Sequence, residues 1–193
     1  MNNSILKKDK RYSFSDYFYM NNPTEEIITE LGYSLEFAEI QFPSTTNIEN
    51  TTVENIKNIY YKLLPKITLN SEIAKREFMI APLLHQVILN IDDKLNGYID
   101  YLIRSKQELI VIEAKKGDLE RGFNQLAAEM IALDQYETSQ VPEILYGAIT
   151  IGEVWRFAQL KRLDKTLVKD INLFKFPQDT KELLVILTGI LAT

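Results

Sequence analysis

Cysteine is absent from the chain of 193 residues, and histidine occurs once. These absences exclude disulfides, thiolate zinc sites, cysteine nucleophiles and paired-histidine metal sites. Only seven glycines are present and no glycine-rich phosphate-binding loop occurs, so we expect no nucleotide cofactor. The longest apolar run, residues 183–192, is too short to cross a bilayer, and the polar N-terminus lacks the apolar stretch of a signal peptide. We therefore expect a cytoplasmic protein with no membrane partner.

The formal net charge of the chain is -5 at pH 7. This balance argues against a sequence-independent DNA coat protein, which needs a broad positive field, but it is compatible with an enzyme that keeps a carboxylate cluster. The length allows a full hydrophobic core, and no linker or repeat divides the chain. We predict one domain over residues 1–193, with residues 1–70 as a helical and strand extension and residues 71–193 as the core.

Helical and strand patterns interleave after a helical start. Apolar residues at helical spacing predict helices over residues 23–31, 53–64, 71–89, 117–134 and 180–190. Runs rich in β-branched and aromatic residues predict strands over residues 33–42, 98–103, 109–114, 144–151, 154–160 and 167–174. This order predicts an α/β fold, an αβα sandwich in which helices flank a mixed central sheet.

The strand predicted over residues 109–114 is apolar on both faces, which is typical of the middle of a covered sheet. Side chains alternate along a strand, so Glu113 and Lys115 share one face. If the preceding strand pairs antiparallel, Asp100 can lie beside Glu113. Two carboxylates and the backbone carbonyl of Ala114 would then form a hard oxygen site for Mg²⁺ or Mn²⁺. The alternative is a buried ion pair that satisfies itself.

Glu77 supports the same interpretation independently. In the helix predicted from Ser71, it falls in a stripe of otherwise apolar residues at three- and four-residue spacing. A carboxylate in such a line needs a cation or hydrogen-bond donors, which a metal site would supply. Alternatively, Lys75 or Arg76 reaches across to it, or the helix is tilted enough to expose Glu77 to water.

Three segments, in this order, resemble the PD-(D/E)XK nuclease superfamily over about residues 74–133. They are Gly97-Tyr-Ile-Asp100, Ile110-Val-Ile-Glu113-Ala-Lys115 and Gly122-Phe-Asn-Gln125-Leu, after a helix with an acidic residue. The proline that names the motif is replaced by Ile99. Residues 146–157 are also similar to the strand pair that follows the active-site helix in restriction-endonuclease-like domains, including small uncharacterised cyanobacterial members. The resemblance implies a restriction-endonuclease-like αβα sandwich.

The resemblance also assigns roles to the site residues. Asp100 and Glu113 would bind the metal, with Glu77 anchoring a second metal or a water. Lys115 would stabilise charge or orient the attacking water, and Gln125 would complete the site. The implied activity is endonucleolytic phosphodiester hydrolysis of DNA, a magnesium-dependent deoxyribonuclease reaction in which the cation lowers the pKa of the attacking water.

Several alternatives stay open. The basic residues Lys116 and Arg121 could contact the nucleic-acid backbone, or they are ordinary solvated charges. The fold could instead be a non-catalytic nuclease-like module that binds nucleic acid or protein, or an interaction protein in which the acidic and basic residues form only ion pairs. A homodimer would give a small nuclease without a DNA-reading domain more binding surface.

Overall fold

The computed structural model describes residues 4–7, 9–44, 48–91, 96–98, 102–104, 108–113, 117–136 and 142–192, with the backbone alone in the three strands between residues 96 and 113. Its helices are α1 (Phe14–Phe18), α2 (Thr24–Glu30), α3 (Asn50–Leu63), α4 (Glu72–Lys75), α5 (Ala81–Leu89), α6 (Leu119–Tyr136) and α7 (Thr180–Ala192). A 3-10 turn covers Leu64–Lys66, and a π-helical turn, Arg76–Ile80, joins α4 to α5. No helix in these ranges is long and apolar enough to span a membrane.

Eight strands within the described ranges form one mixed sheet. They are β1 (Ser34–Ala38), β2 (Asn96–Tyr98), β3 (Leu102–Arg104), β4 (Glu108–Glu113), β5 (Ile144–Thr150), β6 (Val154–Lys161), β7 (Thr166–Asp170) and β8 (Phe174–Lys175). The order across the sheet is β1-β7-β6-β5-β4-β3-β2, and β8 pairs with the first residues of β6. The pairs β1–β7 and β4–β5 are parallel, and the others are antiparallel. The expected α/β class with a mixed sheet is confirmed.

Helices cover both faces of the sheet, because β5, β6 and β7 carry apolar side chains on each side. One core joins Tyr146, Ala148 and Phe157 to α3, α5 and α7. The other joins the opposite face of the same strands to α6 and to residues of the α2 region. Residues 1–70, expected as an extension, contribute β1 to the sheet and α3 to the first core.

Helix α6 lies close to the sheet because Gly147 has no side chain. A Cβ built on Gly147 would lie 2.6 Å from Met130 Sδ and 2.9 Å from Leu126 Cδ1. The helix begins after Gly117, whose φ of +70° favours glycine, and the Asp118 carboxylate accepts a hydrogen bond from Arg121 N at 3.0 Å. The sheet side of α6 is therefore fixed in position from its first turn.

The helix predicted over residues 71–89 is present, but it is interrupted. Ser71 caps its start as expected, since Ser71 Oγ accepts from Ala74 N at 3.0 Å. Pro82 has no N–H with which to bond the carbonyl four residues earlier, Phe78 O, and that carbonyl instead accepts a hydrogen bond from Tyr60 Oη at 2.7 Å. The wide turn over Arg76–Ile80 precedes this proline. It shifts the helical phase by about one residue relative to an uninterrupted α-helix.

Three predicted elements differ from the structure. The single strand expected over residues 98–103 is wrong, because Tyr98 and Leu102 stand opposite each other on β2 and β3, which form an antiparallel hairpin. The strand expected over residues 167–174 is divided after Asp170, whose Oδ1 accepts a hydrogen bond from Asn172 N at 2.9 Å and holds the chain in a turn. The strand expected over residues 33–42 is shortened to β1. Short β-rich runs indicate extended backbone without locating the reversals between strands.

Candidate functional site

The ends of four strands define one side of the sheet, which we call the carboxyl edge. Strands β1 and β7 run parallel, as do β4 and β5, and β6 is antiparallel to both β5 and β7. The last residues of β1, β4, β5 and β7 are therefore at the same edge: Ala38, Glu113, Thr150 and Asp170. In open α/β sheets, ligands bind outside the carboxyl ends of the strands.

Glu113 ends β4 at this edge. Its register partner on β5 is Thr150, a fully buried residue whose hydroxyl donates to Val154 O and accepts from Gly152 N, both at 2.9 Å. Gly152 makes the turn into β6 with φ of +89°, and Trp155 is fully buried behind it. Glu113 therefore pairs with the residue that begins the hydrogen-bonded turn between β5 and β6, which we call the β5–β6 corner.

The helical segment that carries Glu77 packs against the same corner. A Cβ built on Gly152 would lie 3.1 Å from Met79 Sδ and 3.4 Å from Lys75 Cβ. Glu77 lies between these two contact residues in the chain. The fold therefore brings the segment from Lys75 to Met79 beside the strand that pairs with β4.

The expectation that Glu77 lies in the buried stripe of its helix is wrong. Its side chain is 64% exposed, and Glu77 Oε1 lies 3.9 Å from Arg76 Nε. The buried residues nearby are Met79 and Ile80. The π-helical turn shifts the helical phase, so residues that a regular helix would align with Leu84 turn away from the core. The arrangement is the pairing with Arg76 and exposure to water that the sequence left open as an alternative.

Gln125 lies on α6, half-buried, and its amide nitrogen donates to Glu129 Oε1 at 2.9 Å within the same helix. Arg121 is half-exposed, lies 3.6 Å from the Asp118 carboxylate and donates to Asn21 Oδ1 at 3.2 Å. Asp100, Ala114, Lys115 and Lys116 lie outside the described residues, as does the side chain of Glu113. The structure therefore locates the strand end of the expected site and two of its flanking helices.

The donor set suits a divalent cation by its chemistry, since carboxylate and carbonyl oxygens are the ligands that Mg²⁺ and Mn²⁺ prefer. Within the described residues, no group of three or more histidine, aspartate or glutamate side chains could hold a metal ion. Glu77 would contribute one such oxygen. The carboxylates of Asp100 and Glu113 are not among these described side chains.

A second polar cluster was not predicted from the sequence. Arg156 on β6 and Lys169 on β7 both bond the Glu120 carboxylate in the first turn of α6, with Arg156 Nη1 at 2.5 Å from Glu120 Oε1 and Lys169 Nζ on Glu120 Oε2. The Lys169 side chain is only 4% exposed, whereas Glu120 is 65% exposed. Lys169 Nζ also lies 4.6 Å from the centre of the Phe123 ring. The signal in the sequence was a basic residue beside apolar residues in each of two predicted strands: Arg156 between Trp155 and Phe157, and Lys169 after Val168.

Burial governs the charges of this cluster. Burial raises the pKa of Glu120, but the hydrogen bonds and charges of Lys169 and Arg156 outweigh it, so the pKa of Glu120 stays below its ordinary value. Burial lowers the pKa of Lys169, and the contact with Glu120 offsets this only in part. The positive charge of the buried Lys169 is therefore stabilised by its anionic neighbour, Glu120.

A cavity of about 470 Å³ opens beside the cluster at the carboxyl edge. Its walls come from the start of α2, from β1, from the start of β6, from the end of β7 and from the first turn of α6, and they include Thr24, Phe37, Glu120, Arg156 and Lys169. The two cations of the cluster, on β6 and β7, lie two and three strands from β4, roughly 10–14 Å at the usual spacing of neighbouring strands.

Comparisons with protein-family models, with curated proteins and with solved structures gave no match to this chain.

Proposed function

We propose that the protein is a divalent-metal-dependent endonuclease that hydrolyses phosphodiester bonds in DNA. The observation that carries the proposal is the position of Glu113, at the end of an inner strand and at the carboxyl edge where several strands terminate. The order of elements also supports it: the helix with Glu77, the antiparallel strands β2 to β4, then α6 with Gln125 and the parallel strand β5. This is the order in which the resemblance places an acidic helix, a metal-binding hairpin and a following helix.

The residues have distinct proposed roles. Asp100, Glu113 and the carbonyl of Ala114 would hold Mg²⁺ or Mn²⁺, and Glu77, exposed near the β5–β6 corner, would turn toward the metal by giving up its ion pair with Arg76. Lys115 would orient the attacking water or hold the phosphate. The cation, when bound, supplies charge neutralisation at the phosphoryl group and a lowered pKa for the attacking water.

The proposal is tested by cleavage of labelled single-stranded, duplex and branched DNA with Mg²⁺, with Mn²⁺ and with chelator. Lys115→Ala is expected to slow cleavage by about a hundredfold or more, as loss of one transition-state contact does. Lys62→Ala removes an exposed lysine at the end of α3 and serves as the matched control. Equal rates for the two variants, or cleavage that persists in chelator, would contradict the proposal.

A non-catalytic module that keeps the nuclease-like fold is the second candidate. It is favoured by the pairing of Glu77 with Arg76 and by the exposure of Glu77, which leave this carboxylate with a protein partner. Titration calorimetry with Mn²⁺ separates the two candidates: binding that Asp100→Ala abolishes supports the enzyme, and no binding by the unaltered protein supports the module. A cytoplasmic location and a homodimeric state belong to the same proposal.

A further inference from the structure

The cluster of Glu120, Arg156 and Lys169 has an uneven distribution of burial. Its two cations are held by strands of the sheet, and Lys169 is almost wholly enclosed. Their shared anion belongs to the first turn of α6 and is about two-thirds exposed. A buried ammonium group needs a counter-charge, but the position of this carboxylate on a long exposed side chain makes it exchangeable.

Arg156 has unused hydrogen-bonding capacity. Its Nε atom is buried and has no hydrogen-bond partner in the described part of the chain. A guanidinium group presents five N–H donors in a planar fork, and one bond to Glu120 Oε1 uses only part of it. Phosphate oxygens fit this fork in a bidentate manner.

Two further acidic residues line the cavity, and neither occupies the space between the cations. Asp170 follows Lys169 in β7, so its side chain points to the other face of the sheet, where Oδ1 accepts from Asn172 N at 2.9 Å. Glu25 is exposed at the rim on α2, where solvent and salt screen its charge. The inner wall of the cavity is therefore cationic once Glu120 moves aside.

We propose that this cavity is a subsite for a phosphate group, which replaces the Glu120 carboxylate between Arg156 and Lys169. The Glu120 carboxylate is the resident anion of the empty subsite. On binding, the phosphate oxygens accept from the Arg156 guanidinium and the Lys169 ammonium, and Glu120 turns outward into water. The cavity's place outside the carboxyl ends of β1 and β7 is where such sheets bind their ligands.

The subsite stands apart from the proposed nuclease centre and needs no divalent cation. The strand spacing separates it from Glu113 by two to three strands on the same edge. A DNA backbone that reached Glu113 could therefore extend along the edge to this cavity, and a small phosphorylated molecule could also enter it. Binding is measured in chelator, so a failure of cleavage and a failure of this inference are separate results.

The test is titration calorimetry at constant ionic strength with two probes: inorganic phosphate, and a short single-stranded oligodeoxynucleotide without terminal phosphates. Lys169→Met and Arg156→Gln are each expected to weaken phosphate binding about tenfold or more, because each removes a charge-assisted hydrogen bond. Glu120→Gln is expected to strengthen it several-fold, because the competing anion is removed. A purely structural ion pair would give no such gain.

Matched controls come from the ion pair between Lys161 and Glu36, in which Nζ lies 3.5 Å from Oε2. This pair is on the same sheet but outside the cavity. Lys161→Met and Glu36→Gln are expected to leave binding unchanged. Circular dichroism establishes that each variant is folded, and if Lys169→Met is not, Glu120→Gln and Arg156→Gln decide the matter.

The outcomes divide as follows. Weaker phosphate binding by Lys169→Met and Arg156→Gln, together with stronger binding by Glu120→Gln, supports the subsite. If the oligonucleotide shows the same pattern, the ligand is backbone phosphate. If only inorganic phosphate shows it, the ligand is a small phosphorylated molecule. No phosphate binding by the unaltered protein and by Glu120→Gln, or equal affinities for Lys169→Met and Lys161→Met, would overturn the inference.

Discussion

The hydroxyl of Tyr60 compensates for a proline inside a helix, and its removal gives a measurable loss of stability. Tyr60 is buried, and its Oη donates to Phe78 O at 2.7 Å. In a regular α-helix the residue at position 82 would donate its N–H to this carbonyl, but Pro82 has no N–H. Tyr60→Phe keeps the ring, which packs at 4.5 Å from the ring centre of Phe176, and removes only the donor.

The magnitude follows from the burial of the bond. Removing one partner of a buried hydrogen bond costs about 1–3 kcal/mol, since the other partner loses its bond without gaining water. We expect Tyr60→Phe to lower the free energy of unfolding by about 1–2 kcal/mol. Urea unfolding followed by circular dichroism measures this free energy. Tyr61→Phe is the neighbouring control, because Tyr61 is 52% exposed.

A double-mutant cycle tests the cause. Pro82→Ala restores an N–H four residues after Phe78, so Tyr60→Phe should cost less in that background, by about 0.5 kcal/mol or more. Equal stability losses for Tyr60→Phe and Tyr61→Phe would contradict a compensating role for the Tyr60 hydroxyl. So would a loss from Tyr60→Phe that is unchanged in the Pro82→Ala background.

Three further outcomes follow. Burial raises the pKa of both Tyr33 and Tyr60 to about 12, so the stability that these groups contribute is complete below pH 10 and is lost as the pH rises toward 12. Urea unfolding between pH 8 and 11 should therefore show a smaller alkaline loss of stability in Tyr33→Phe or Tyr60→Phe than in the unaltered protein. Gly147→Ala should destabilise by about 1–3 kcal/mol, measured in the same assay, because its Cβ would overlap Met130 Sδ. The pKa of Glu120 is lowered in the folded protein, so its contribution to stability is present above its pKa in the unfolded chain and is lost as the pH falls through its pKa in the folded protein. The melting temperatures of Glu120→Gln and the unaltered protein should therefore differ at pH 7 and converge in acid.

Much of the fold was predictable where one period persists over a long segment. Helix α6 and the strand β4 lie within a residue or two of their predicted bounds. The interruption at Arg76–Ile80 was not predicted, because it depends on Pro82 and on a hydroxyl from another helix. Helical periodicity alone therefore placed Glu77 on the wrong face.

The candidate site was only partly accessible to sequence reasoning. Glu113 could be placed at a strand end because it terminates an apolar run. The ion-pair cluster could not, since Glu120, Arg156 and Lys169 are separated along the chain and meet only because β6 and β7 pair antiparallel and the first turn of α6 lies over them. Local patterns carry no information on which strands become neighbours.

The proposed nuclease activity requires the carboxylate of Glu113, at the end of β4, as a metal ligand. The most direct measurement compares Mg²⁺-dependent cleavage of labelled DNA by the unaltered protein, by Glu113→Gln and by Glu143→Gln, an exposed carboxylate just before β5. We expect cleavage by the unaltered protein and by Glu143→Gln, and none by a folded Glu113→Gln variant. Cleavage by Glu113→Gln at the rate of the unaltered protein would contradict the account.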